Sequence, residues 1–228
     1  MSILKAKNPY LEEFREAFGS DKPQLFNFTS VRSNALSELN LSAGFRLRDK
    51  LTKKYAWAIP NDEALDCIAR HGPIVEIGAG GGYWASLLWR MDVDIVAFDN
   101  RSTHQDGRIT HWHTVEYGDH KKAAQYPDRT LLLVWPPYDT DCAEYAARRY
   151  KGETIIYVGE NNGCTGTEDF EVYLGAQWSE CEVIDIPQWP GLHDYLRVFQ
   201  RKPTSDSPAK PEKIRKMDQS RSIDLDQS

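Results

Sequence analysis

The run Ile74-Val75-Glu76-Ile77-Gly78-Ala79-Gly80-Gly81-Gly82-Tyr83-Trp84 decides how this chain is read. A short, mostly apolar stretch passes directly into glycines, and Trp84, Leu87, Leu88 and Met91 then fall at i, i+3, i+4 and i+7. That succession is a strand, a tight turn and a helix. Glycine suits such a turn because it frees the backbone and lets the chain pass close to a ligand.

Outward from this unit, short apolar runs alternate with helix-period segments, the signature of βαβ units on a parallel sheet. Seven strands are expected: 74–77, 95–98, 114–117, 130–134, 154–158, 182–186 and 195–200. Only Pro-Gln-Trp-Pro-Gly-Leu-His-Asp (187–194) joins the last two, too few residues for a helical crossover. The seventh strand is therefore expected antiparallel to the sixth. The fold class read here is α/β: a seven-stranded doubly wound sheet, mostly parallel, with an antiparallel last strand. Asn61, Thr140 and Thr167, each followed by carboxylates, mark helix starts where unpaired N–H groups need acceptors.

Residues 1–54 are expected to form a helical cap. Leu11, Phe14 and Phe18 keep helical spacing, Gly19 to Pro23 breaks it, and a second weak helix runs through Ala35 to Leu41. Residues 55–202 form the main domain. Residues 203–228, rich in Ser, Pro, Lys, Asp and Gln, have little to bury and read as a disordered tail.

The chain has 228 residues, 28 Lys+Arg against 34 Asp+Glu, and 40% apolar content. That excludes a fibre, a disordered chain and a disulfide mini-protein. A formal charge of −6 supplies no overall basic field, so contact with nucleic acid would need a local patch. Arg46, Arg48, Lys50, Lys53 and Lys54 are such a patch. Cys67, Cys142, Cys164 and Cys181 contain no CxxC pair and read as reduced thiols. The only close histidine pair among His104, His111, His113 and His120 is His111-Trp112-His113, with Asp106, Glu116 and Asp119 nearby, and no metal is expected. No apolar run approaches a signal sequence or a membrane span, so the expected location is cytoplasmic.

The nicotinamide fingerprint GxGxxG would need glycine at position 83, where Tyr83 stands. An acidic residue followed by GxGxG instead resembles motif I of the class I S-adenosylmethionine-dependent methyltransferases. The resemblance implies that the cofactor's methionyl group passes over Gly78, Ala79, Gly80 and Gly82, with Glu76 supporting the turn. Asp99 ends the second strand twenty-one residues after Gly78, close to the ~20 of a ribose-binding carboxylate. In that family an acidic residue there binds both sugar hydroxyls, and Asp119 falls where a side chain often meets the adenine amino group. Tyr55 and Trp57 lie in Tyr55-Ala56-Trp57-Ala58-Ile59-Pro60, a segment that in such enzymes crosses the cofactor entrance.

After the fourth strand, Trp135-Pro136-Pro137-Tyr138-Asp139 is similar to the [DN]PP[YF] loop of methyltransferases acting on amino groups. There the prolines aim a carbonyl at the amino nitrogen and the aromatic stacks on a planar substrate. Pro136, Pro137 and Tyr138 match, whereas Trp135 only donates hydrogen bonds and departs from the pattern. A backbone carbonyl or Asp139 remains as acceptor. Trp57, Tyr83, Trp135, Tyr138 and Trp189 are expected to wall one pocket for a flat heterocycle or a cation, and His193, beside Asp194, is the candidate general base.

The resemblance spans residues 55–201. It implies transfer of a methyl group from S-adenosylmethionine to a nitrogen or oxygen of a planar acceptor, either a nucleobase or a small metabolite. The alternative is an inactive domain of the same shape that senses the cofactor or acts as a scaffold.

Overall fold

The computed structural model describes residues 7–21, 34–101, 110–161 and 163–203, with backbone alone at 34–43. His104, Asp106 and all but the first residue of the expected tail lie outside these residues. Two helices lead the chain, α1 (Pro9–Phe18) and α2 (Asn34–Lys54), followed by α3 (Asp62–Arg70). The sheet alternates with helices through β1 (Ile74–Ile77), α4 (Tyr83–Arg90), β2 (Ile95–Asp99) and β3 (Glu116–Tyr117). A 3-10 helix (His120–Gln125) precedes β4 (Thr130–Val134), α5 (Cys142–Arg149), β5 (Thr154–Gly159) and α6 (Glu168–Gln177). The hairpin of β6 (Trp178–Asp185) and β7 (Tyr195–Arg201) ends it.

The seven strands lie in the order β3-β2-β1-β4-β5-β7-β6. Strands β1 to β5 are mutually parallel, and β7 inserts between β5 and β6, antiparallel to both. The sequence anticipated the hairpin but not the insertion. Burial explains it: β7 carries Leu196 and Val198 toward one face and Phe199 toward the other, as an interior strand must. Strand β6 takes the edge, with Ser179, Glu180 and Cys181 exposed, so only its second half had been legible.

Alternation along the strands divides the core. Leu132, Ile156 and Val158 face α1, α3 and α4, while Leu131, Leu133, Ile155 and Tyr157 face α5 and α6. Tyr10 and Phe14 of α1 enter the first of these clusters. Asn61 and Thr167 cap α3 and α6 as expected, accepting from Ala64 N and Phe170 N. Thr140 does not cap α5; it stands one residue before the N-cap, Asp141, and its hydroxyl meets Cys142 Sγ at 3.2 Å. Helix α2 continues past Leu41 to Lys54, its charged residues being good helix formers while Leu47 and Leu51, one turn apart, pack on the core.

One consequence of this topology matters most for function. The carboxyl ends of β1, β2, β4, β5 and β6 and the start of β7 share one edge of the sheet, where doubly wound folds bind ligands. No helix of the described residues is long and apolar enough to cross a membrane.

Candidate functional site at the carboxyl edge

The glycine turn is built from both sides. Phe98 O accepts from Gly78 N (2.8 Å) and Ala79 N (3.0 Å), and Asp99 Oδ2 accepts from Gly80 N at 2.9 Å. Asp99 Oδ1 accepts from Arg101 N at 2.5 Å. Gly78, Gly80 and Gly82 have φ of 79°, 55° and 75°, a region that disfavours side chains. Their surroundings differ. A Cβ on Gly82 would lie 2.8 Å from Val115 Cγ2 and 3.0 Å from His113 Cβ, so packing excludes it. Among the described residues, a Cβ on Gly78 or Gly80 would meet nothing within 4 Å. Packing therefore explains Gly82, whereas Gly78 and Gly80 border open space.

Glu76 lies buried in this region, its Oε2 lacking a hydrogen-bond partner among the described residues. Burial, helped by the charge of Asp99, pushes its carboxyl up to about 8. An orphaned buried oxygen of this kind calls for a partner.

The expected aromatic box divides in two. Tyr83 and Trp189 do not line an open pocket: both are buried, Tyr83 Oη donating to Asn8 Oδ1 (2.8 Å) and Trp189 Nε1 to Tyr10 Oη (3.1 Å). They anchor α1 because the first residue of α4 points its side chain back toward the helix N-terminus, where α1 lies. Tyr55 joins them rather than the cofactor entrance, stacked between Tyr10 (4.8 Å) and Trp112 (5.1 Å), its hydroxyl on Glu13. The other group stays open. Trp57 and Trp135 stack at 4.6 Å and 9°, with the Arg48 guanidinium 5.7 Å from the Trp57 ring, and Tyr138 is 64% exposed.

Trp135 has φ of 50°, a strained conformation for a bulky residue. It is held by Trp135 N to Val158 O (2.8 Å), by the stack on Trp57, and by Trp135 Nε1 donating to Asp194 Oδ1 at 3.0 Å. Indole thus serves this site as a donor to a carboxylate, which is why Trp135 cannot play the acceptor of the amino-methylating loop. The Pro136 carbonyl is also engaged, accepting from Gly166 N at 3.0 Å, and Pro137 bridges to Thr165. Asp139 is exposed.

The turn between β6 and β7 reverses the roles expected of its neighbouring residues. His193 points outward, its side chain 76% exposed, with Nδ1 3.6 Å from Glu160 Oε1. Asp194 is fully buried, and its Oδ2 has no hydrogen-bond partner among the described residues. Burial pushes its carboxyl up to about 7, against the Trp135 hydrogen bond and with the charge of Glu160. Glu160, just after β5, is buried and accepts from His193 N (2.7 Å) and Cys164 N (2.6 Å). The expected base, His193, therefore faces solvent, and the carboxyl raised toward neutrality is that of its neighbour Asp194. Sequence offered one signal for this: a strand-end aspartate can point indoors where its neighbour points out.

Asp119 also sits at the carboxyl edge, but its side chain caps the 3-10 helix through Lys121 N (2.9 Å), which lowers its pKa. In the basic patch, Arg46, Lys50 and Lys53 are exposed, Arg48 leans on Phe45 and Trp57, and Lys54 pairs with Glu13 at 2.6 Å. The described histidines do not converge, His113 lying against Trp89 and His120 against Tyr145.

No family model matches the sequence, and neither does any curated protein. Solved structures do match, 205 chains in all. One is magnesium protoporphyrin IX methyltransferase from Synechocystis PCC 6803 with bound S-adenosylmethionine (10% identity, 84% of this chain and 91% of that one, TM-score 0.39). Another is 1,6-didemethyltoxoflavin-N1-methyltransferase from Burkholderia thailandensis with 1,6-didemethyltoxoflavin and S-adenosylhomocysteine (15%, 74% and 88%, 0.42). A third is an O-methyltransferase from neocarzinostatin biosynthesis with S-adenosylmethionine and 2-hydroxy-5-methyl naphthoic acid (14%, 75% and 59%, 0.44). Likeness at this level assigns no activity, so the functional reading rests on the residues of this chain.

Proposed function

We propose that this protein is a methyltransferase that binds S-adenosylmethionine over the β1–α4 turn and methylates a nitrogen or oxygen of a planar acceptor, a nucleobase or a small heteroaromatic metabolite. The observation that carries the reading is the open space at Gly78 and Gly80 beside Asp99, at the carboxyl edge of the sheet. Together with the acid-GxGxG resemblance, it fits a cofactor passing over the turn. A dinucleotide fits less well, because the position of its third glycine holds the buried ring of Tyr83.

Bound there, the cofactor would supply a sulfonium methyl to which an acceptor lone pair bonds as the C–S bond breaks and S-adenosylhomocysteine leaves. Gly78 and Gly80 would admit it to the backbone, and Asp99, the strand-end carboxylate beside them, would meet the ribose hydroxyls. Trp57, Trp135 and Tyr138 offer faces for a flat acceptor. Parting of the Trp57–Trp135 stack would open the buried Asp194, whose Oδ2 would then take the N–H or O–H proton that the acceptor must lose, with Trp135 Nε1 holding the other oxygen. A carboxyl at about 7 is matched to that task near neutral pH. Arg46, Lys50 and Lys53 on α2 would steer a nucleic-acid acceptor, in which case turnover falls steeply with salt.

The test is thermal protection followed by label transfer. S-adenosylmethionine and S-adenosylhomocysteine should raise the melting temperature and NADH should not, and tritiated methyl should pass to members of a panel of nucleosides, RNA and heteroaromatic metabolites. Protection by NADH alone would overturn the proposal.

A further inference from the structure

Cys67, His71 and Glu182 bring three metal-ligating atoms within 4.8 Å of one another at the opposite side of the fold from the glycine turn. Cys67 is buried in the last turn of α3, beside Ile68, and His71 caps that helix one turn later. Residues spaced i and i+4 share a helix face, so both donors point the same way. Glu182 comes from β6, just past the bulge between Glu180 and Glu182. Its Oε1 accepts from Arg70 Nη2 at 2.8 Å.

We propose that these residues bind a zinc ion that ties α3 to the edge strand β6. A thiolate, an imidazole and a carboxylate form a donor set suited to zinc, with water as the fourth ligand. Tetrahedral bonding places donors about 3.5 Å apart, so closing on the ion takes roughly an ångström of side-chain rotation. On binding, the Cys67 thiol gives its proton to buffer and its sulfur bonds to zinc, while Arg70 stays on Glu182 as an outer partner that orients the carboxylate. The arrangement has a structural rationale. Strand β6 is exposed along its outer edge and packs sparingly on α3, so a metal clip supplies what the core there does not. The four-residue spacing of Cys67 and His71 is the sequence signal for the site. The site lies far from the proposed cofactor turn and stands independently of that proposal.

The experiment uses the full chain carrying Cys142→Ser, Cys164→Ser and Cys181→Ser, so that Cys67 is its only thiol. Zinc is titrated in competition with a chromophoric chelator, and cobalt is substituted for spectroscopy. The expected result is one equivalent bound, intense tetrahedral cobalt bands and a thiolate-to-cobalt charge-transfer band. Cys67→Ser should remove that band, and Glu182→Gln, a change at a partly exposed side chain, should weaken zinc at least 10-fold. Absence of stoichiometric binding in the triple-serine chain, or cobalt bands without thiolate character, would overturn the site. Neither readout depends on how the variants at positions 67 and 182 fold.

Discussion

Substituting alanine at Gly80 and, separately, at Gly82 distinguishes a ligand cradle from a packing turn. Both residues are left-handed, so either alanine costs roughly 1–2 kcal/mol of backbone strain. At Gly82 the added methyl also meets Val115 Cγ2 at 2.8 Å and His113 Cβ at 3.0 Å. Overpacking of that kind adds about 1–3 kcal/mol. At Gly80 the methyl enters space with no atom of the described residues within 4 Å, so stability falls only by the strain. Gly80→Ala should therefore lower the melting temperature by a few degrees and Gly82→Ala by roughly twice as much. Affinity for S-adenosylhomocysteine should move the other way. The Gly80 methyl occupies the path of the ligand and should weaken binding roughly 10- to 100-fold, whereas Gly82→Ala should leave the folded protein's affinity within about 3-fold. Differential scanning calorimetry and isothermal titration report the two quantities separately. Unchanged affinity in Gly80→Ala, or losses of affinity that simply track losses of stability, would refute the reasoning.

Three further outcomes follow from the carboxylates. Asp99→Ala removes the acceptor of Gly80 N and Arg101 N, and should lower stability by about 2 kcal/mol and abolish measurable cofactor binding; retained binding would show that the turn holds the ligand without it. Once an acceptor is found, kcat/KM should rise with pH through about 7 as Asp194 ionises, and Asp194→Asn, which keeps an oxygen for Trp135 Nε1, should lose that dependence and roughly 10²–10⁴ in rate; an unaltered profile would remove Asp194 from the mechanism. Glu76 and Asp194 have folded pKa values, about 8 and about 7, raised above their unfolded ones near 4, so the folded state binds more protons across that window. Stability should fall as pH rises from 5 to 8 by at most about 1.4 kcal/mol per pH unit for each group, and Glu76→Gln should flatten the melting curve's pH dependence.

The sheet was legible because β1, β4 and β5 are buried on both faces and read as nearly unbroken apolar runs bounded by glycine and proline. The place of β7 was not, since sequence order says which strands are joined and not which are adjacent. The glycine turn could be read residue by residue because positive φ imposes glycine itself. What distinguishes Gly82 from Gly80, however, is the approach of Val115 and His113, over thirty positions away. The aromatic box failed for a related reason. Tyr83, Trp189 and Tyr55 have the composition of a binding wall, yet α1 brings Tyr10 and Asn8 to cover them. Trp135 looked like a defect in an amino-methylating loop until Asp194 appeared across from its indole N–H. A contact between residues 59 positions apart is invisible to local pattern.

The most direct test of the central claim is a calorimetric titration of the full chain with S-adenosylmethionine and S-adenosylhomocysteine, with NADH as the control. One-to-one binding of both at micromolar affinity with no heat from NADH is the predicted result. No binding of either by folded protein would contradict the reading of the glycine turn as a cofactor site.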